Sequence, residues 1–312
     1  MLRSIRLSQS SHILYLNLAY GMVKTTIKYV HDHDGSGAPA IEANVTVPTT
    51  PKALLAVVEQ ALLKNPSIRL ATFSHITSIP AIILPIKELV ALCHRRNVKV
   101  MIDGAHAMGQ IPINVQDYDA DFYVANGHKW LFSPKGSAIL WANPSSQSLV
   151  HPNIISYEGQ GKTPFQQQFS YTGTKDYSGF LAMGAALDWR RDKVGTEEEI
   201  MRYMHQLASE GGNILAEAWK TEKLTEDDQI AAMVNVRLPR DALACCTNRW
   251  QGDTVLGARL LARHNTWVPF FVWNGDCYVR VSAQVYNELS DFQMLAAAVK
   301  QEVARGGCGT HP

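Results

Sequence analysis

An acid, an amide, two histidines and a lysine fall at the ends of two neighbouring apolar runs. Val98-Lys-Val-Met-Ile ends in Asp103-Gly-Ala-His106, and Asp121-Phe-Tyr-Val-Ala ends in Asn126-Gly-His128-Lys129-Trp130. Taken singly, each residue has an ordinary reading. An Asp after a strand caps the next helix, a lone His is a satisfied structural residue, and a lone Lys is solvated. The joint pattern carries more, because a lysine with an acid and two imidazoles at adjacent strand ends is the layout of a Schiff-base cofactor site. In an open α/β sheet ligands collect at the carboxyl ends of strands, so both clusters are expected to face one crevice.

The elements that must position these residues follow from the apolar periodicity. Strands are predicted at 13–18, 41–47, 68–73, 98–102, 122–125 and 138–141, and amphipathic helices at 21–30, 52–63 and 86–96. Pro48, Pro51, Pro66 and Pro85 fall at the predicted boundaries. Residues 143–172 read as a loop-rich excursion. A long helical region from Ser178 to about Glu222, interrupted near Gly195, reads as a bridge. Beyond it come a strand at 231–238, a helix at 253–263, strands at 267–273 and 277–282, and a helix at 289–305, the order of a small α+β domain. The fold class expected is therefore α/β, with a large domain over 1–185 and a smaller C-terminal α+β domain with the bridging helix over 186–312.

Composition removes other classes. The 312 residues carry 29 Lys and Arg against 28 Asp and Glu, a formal net charge of +1, with no basic run to draw nucleic acid. The apolar stretch 71–84 is broken by His75, Thr77, Ser78 and Pro80 and is too short to span a bilayer. Arg3 and Arg6 lie among serines without a hydrophobic secretory core. Cys93, Cys245, Cys246, Cys277 and Cys308 are odd in number and lack Cys-x-x-Cys spacing, so they read as free thiols in a reducing compartment, the cytoplasm.

The two strand-end motifs resemble those of the class V aminotransferase family of fold-type I pyridoxal-phosphate enzymes, in the branch of isopenicillin-N-epimerase-like proteins and L-cysteine desulfhydrases. Leu18-Ala-Tyr20-Gly-Met-Val, Phe73-Ser-His75-Ile-Thr-Ser78, Tyr171-Thr-Gly-Thr174-Lys-Asp176 and Val279-Arg280-Val-Ser282 extend the resemblance from about Ser10 to Asp291. It implies a mostly parallel sheet with helices on both faces and pyridoxal 5'-phosphate as cofactor. By resemblance, Lys129 is the Schiff-base lysine and the base that removes the substrate α-proton. Asp103 pairs with the pyridine nitrogen, and a protonated ring is the electron sink. His106 bonds the phenolic oxygen, Asn126 and His128 hold the phosphate, and Tyr20 stacks on the ring. Thr174 reaches the phosphate of the opposite subunit, which makes the active unit a homodimer, and Arg280 clamps the substrate carboxylate. Ser78 stands where many relatives have Asn near the phenolic side. The family's relatives also carry a longer segment ahead of the Tyr20 region, so the resemblance implies an N-terminally incomplete chain.

The reaction expected is carbon-sulfur lysis of an amino-acid substrate, as in a cysteine desulfhydrase. An amino-acid epimerase or an aminotransferase is the alternative within the family, since each reaction begins with loss of the α-proton or its equivalent. Two alternatives lie outside that chemistry: a catalytically inactive remnant, and a metal-dependent hydrolase using His75, His106, His128 and Asp103. The hydrolase leaves Lys129 without a role.

Overall fold

A computed structural model of the chain describes residues 1–5, 7–8, 10–33, 39–156, 159–246 and 254–306. The chain divides into two compact units, one of Met1–Ser78 with Leu84–Lys193 and the other of Ile79–Ile83 with Val194–Pro312.

Among the described residues, six strands build the first unit: β1 (His12–Leu16), β2 (Ala40–Ala43), β3 (Ile68–Ser74), β4 (Lys99–Asp103), β5 (Phe122–Asn126) and β6 (Ala138–Ala142). They lie in the order β2-β1-β3-β4-β5-β6. Every pairing up to β4 with β5 is parallel, and β6 runs antiparallel along the edge. The mostly parallel sheet expected from the sequence is present. A parallel strand covered on both faces has no solvent side, so its sequence is nearly all apolar; in β3 every residue except Arg69 is buried. The strands are linked by α1 (Gly21–His33), α2 (Pro51–Lys64) and α3 (Ile86–His94). In α2 the Thr50 hydroxyl accepts from Ala53 N–H, Pro51 starts the first turn, and Leu54, Val58 and Leu62 form the buried stripe.

Register decides what reaches the carboxyl edge. Ser74 pairs with Asp103 and Asp103 with Val124, so β3 and β4 end level and β5 runs two residues further, to Asn126. A single helical turn, α4 (Gly127–Trp130), follows β5 directly. Next come α5 (Pro164–Ser170), α6 (Ser178–Trp189) and a π-helical turn at Arg190–Val194.

The second unit holds α7 (Glu197–Trp219), β7 (Met233–Arg237), α8 (Val255–His264), β8 (Phe270–Trp273), β9 (Asp276–Ser282) and α9 (Leu289–Ala304). Its antiparallel sheet has the order β7-β9-β8. A Thr196–Glu199 capping box starts α7, whose buried stripe runs through Met204, Leu207, Gly211, Leu215 and Trp219. Gly211 has a packing reason: a Cβ there would stand 2.3 Å from Phe292 Cδ1. No helix among the described residues is long and apolar enough to cross a membrane.

Three expectations change. The 143–172 excursion holds a 3-10 turn at Pro144–Leu149 and helix α5, started by Asn143 and Thr163 as N-caps, each followed by proline. Those Asn-Pro and Thr-Pro pairs are start signals that a loop reading passes over. The first strand stops at Leu16; Asn17 N–H still donates to Ala43 O at 3.0 Å, and its side-chain amide exchanges hydrogen bonds with the Val45 backbone at 2.9 and 3.0 Å. The cysteines are not all free thiols: Cys246 and Cys277 are joined, and Cys245 is also disulfide-bonded. Folding brings the end of a 3-10 turn beside β9, where Leu238 N–H donates to Cys277 O. Such long-range proximity leaves no mark in local spacing. Cys93 is free and buried, and Cys308 lies outside the described residues.

Candidate active site

The carboxyl ends of β3, β4 and β5 open onto a cavity of about 380 Å³ whose walls include Tyr20, Ser78, Asp103, His106, Asn126 and Lys129. Asp103 is the last residue of β4, and one of its carboxylate oxygens accepts from Ala105 N–H at 3.0 Å. Burial pushes its carboxyl above the usual range, while the Ala105 amide and the Lys129 charge pull it back. Gly104 follows because nothing larger fits: a Cβ would stand 2.2 Å from Tyr123 Cε1.

His106 sits in the turn after β4. Its Nε2 lies 3.2 Å from Lys129 Nζ, and its Nδ1 accepts from the Trp130 indole at 3.3 Å. Lys129, on α4, holds Nζ 5.8 Å from the centre of the Tyr20 ring. Asn126 caps α4, with its side-chain nitrogen 3.3 Å from His128 Nε2, and His128 Nδ1 faces Ser137 O at 3.1 Å. Five of the sequence-selected residues (Tyr20, Asp103, His106, Asn126 and Lys129) therefore line one cavity, and His128 bonds to Asn126 on that wall. Thr174 does not line it; this residue is exposed, its hydroxyl 3.1 Å from Tyr171 OH. Arg280 belongs to the other unit, on β9, beside a cavity of about 390 Å³ shared with Trp267 and Tyr286. Desolvation lowers its guanidinium to about 10.

Other residues surround the site outside the set assigned to the cofactor. His75 turns into the protein, with Nδ1 2.9 Å from Tyr123 OH and its ring edge-on to Tyr118. Burial lowers its imidazole to about 4 and raises the Tyr123 phenol, so both are neutral near pH 7. Among the described residues no three His, Cys, Asp or Glu side chains gather as a metal-binding group, and His75 is not on the cavity wall. Arg190 is fully buried and donates to Trp130 O at 2.7 Å and Gly109 O at 3.1 Å. A buried arginine in Asp-Trp-Arg-Arg has no local signature, so periodicity could not find it. Trp130 was visible as the last residue of the motif, but its indole contact was not.

Residues 40–295 match the model of the family described as aminotransferase class-V. The chain belongs to that family. It is 33% identical to an L-cysteine desulfhydrase-like protein of Epichloe uncinata, over 81% of this chain and 66% of the relative. Identity to the hercynylcysteine sulfoxide lyase of Schizosaccharomyces pombe is 30%, over 94% of this chain and 73% of that one. Among solved structures, the cystine C-S lyase C-DES in complex with cysteine persulfide superposes with a TM-score of 0.76 at 20% identity, over 100% of this chain and 78% of that one. That likeness is one of fold. The family chain described here thus spans about two thirds of the length of the Epichloe relative.

Proposed function

We propose that this class V family member is a pyridoxal-phosphate-dependent carbon-sulfur lyase acting on a small amino acid, of the cysteine desulfhydrase kind. The observation that carries the reading is Lys129 Nζ, 3.2 Å from His106, in one cavity with a desolvated carboxylate whose proton affinity is raised. The residues fit the cofactor. Asp103 offers a desolvated carboxylate to a protonated ring nitrogen, Tyr20 a face, and Asn126 with His128 a polar wall for a phosphate. When bound, pyridoxal phosphate supplies a sink for the electron pair released at the substrate α-carbon.

The chain's own groups have the remaining tasks. Lys129 would hold the cofactor through Nζ and, when free, would take the substrate α-proton on that atom. His106 holds the phenolic side. Arg280 recognises the substrate carboxylate with two parallel N–H donors. The relatives named as desulfhydrase-like protein and sulfoxide lyase support lysis at a carbon-sulfur bond. Borohydride treatment of purified protein with pyridoxal phosphate should trap an adduct at Lys129, and cysteine should yield sulfide and pyruvate. No adduct overturns the cofactor reading; racemised substrate without pyruvate overturns the lyase in favour of an epimerase.

The active unit in this reading is a homodimer. Its support is α6, an apolar helix with no buried residue, where Leu181 is 80% exposed and Phe180, Leu187 and Trp189 are exposed with it. Thr174 lies four residues ahead of that helix, on the exposed segment expected to reach the partner's phosphate. Light scattering that gives one chain's mass removes this part. Cytoplasmic residence completes the reading, although disulfides are rare there. Thiol alkylation of freshly isolated protein checks it: label on Cys246 and Cys277 would mean that their bond does not form in the cell, as a reducing compartment requires, and no label would remove the cytoplasmic reading.

A further inference from the structure

Trp130 sends its indole N–H to Nδ1 of His106 at 3.3 Å. An indole nitrogen only donates, so the atom it meets must offer a lone pair. In a neutral imidazole the proton then sits on the other nitrogen, Nε2, the one 3.2 Å from Lys129 Nζ. We propose that Trp130 is a positioning residue whose indole N–H locks His106 as the Nε2–H tautomer, so that the ring presents a donor to Lys129 Nζ and to any oxygen seated beside it. The use made of the lock rests on the cofactor reading. Its existence does not.

The lock bears on the form of the lysine. An Nε2–H aimed at Nζ meets a lone pair only in the uncharged amine, because an ammonium would set donor against donor. The uncharged amine is also the form that attacks a carbonyl carbon. Two neighbours pull the other way: Asp103, from the end of β4, and the Tyr20 ring, 5.8 Å from Nζ, both favour the cation. Protonating His106 would place an Nδ1–H against the indole N–H, so the same contact opposes protonation of the ring.

Trp130 is held firmly enough to act this way. Arg190 grips its carbonyl at 2.7 Å and the Gly109 carbonyl at 3.1 Å with one planar fork, and its guanidinium lies 4.7 Å from the Phe132 ring centre. Gly109 belongs to the turn that follows His106. In that turn Gln110 also donates its side-chain amide to His106 O. Both sides of the indole–imidazole contact are thereby tied to one buried cation.

The test uses the full-length chain without cofactor, labelled with ¹⁵N in its histidine rings, with the His106 signals assigned by their loss in His106→Gln. Across roughly pH 6.5–8 the shifts should show a protonated Nε2 and a bare Nδ1. In Trp130→Phe the preference should vanish and the proton affinity of His106 should rise about tenfold, the worth of one hydrogen bond. Trp130 replaced by 3-benzothienylalanine keeps the ring volume and loses only the N–H, so it must reproduce the shift even if the Phe variant folds poorly. A wild-type Nδ1–H tautomer, or a benzothienyl variant that behaves as wild type, overturns the proposal. With pyridoxal phosphate, borohydride-trapped attachment at Lys129 should slow several-fold in Trp130→Phe and show no added slowing when His106→Gln is already present. Independent, additive losses would mean that Trp130 only packs. Failure of attachment in every protein would remove the cofactor reading and leave the tautomer result standing.

Discussion

The two ends of β4 and β5 treat a desolvated carboxylate in opposite ways. At the amino end Asp121, with 4% of its side chain exposed, collects Lys99 Nζ at 2.7 Å, Ser146 Oγ at 2.6 Å, Val100 N–H at 2.8 Å and His94 Nε2 at 3.0 Å. Burial alone would raise that carboxyl, but these partners outweigh it and hold the group below its ordinary range. At the carboxyl end Asp103 accepts one hydrogen bond among the described residues, and burial wins. A buried charge lacking partners costs stability. One end of the sheet is thus completed by its own chain, while the other leaves a desolvated acid facing a cavity and a lysine, the pattern typical of a functional site.

The sharpest way to break this contrast is to neutralise each acid in turn. Asp103→Asn should lower the rate of pyruvate release about 10²–10³-fold, the scale for losing one preorganised electrostatic contact, with no fall in melting temperature. A collapse in melting temperature with activity per folded molecule intact would make Asp103 structural and erase the difference. Asp121→Asn should do the reverse, costing about 3 kcal/mol in urea unfolding while turnover by the folded protein stays at the wild-type level.

His75, buried and off the cavity wall, sharpens the comparison. Its imidazole is lowered from 6.5 to about 4, so between those pH values the unfolded chain binds a proton that the folded chain refuses. Stability therefore declines as pH falls through that window, by on the order of 2–3 kcal/mol at its acid end. In His75→Gln the acid side of the stability curve should flatten, as thermal melts at stepped pH would reveal. The smallest effect is expected for Tyr20→Phe, which keeps the ring face toward Lys129 and should change cofactor affinity by less than about threefold in a fluorescence titration.

Much of this was legible in the chain. β3 and β4 could be placed because buried parallel strands need near-continuous apolar runs, and α2 because Thr50-Pro51 starts it and Leu54, Val58 and Leu62 keep its stripe. The cavity residues were legible because strand ends and ligand sites coincide in open α/β sheets. The Cys246–Cys277 pairing, the His75–Tyr123 contact and the Arg190 fork were not. Each joins groups distant in sequence, and each depends on directions that no local period records.

By itself, then, the sequence determined the order of elements, the strand ends and the residue types carried there, since hydrophobic periodicity and capping act over a few neighbouring residues. The tertiary structure alone decided how those types behave. Register set Asp103 beside Val124 and Ser74, close packing made Gly104 obligatory against Tyr123, and the Trp130 indole chose which nitrogen of His106 carries the proton. Burial and hydrogen-bond direction are properties of what surrounds an atom. In this protein the decisive neighbours come from other strands and helices.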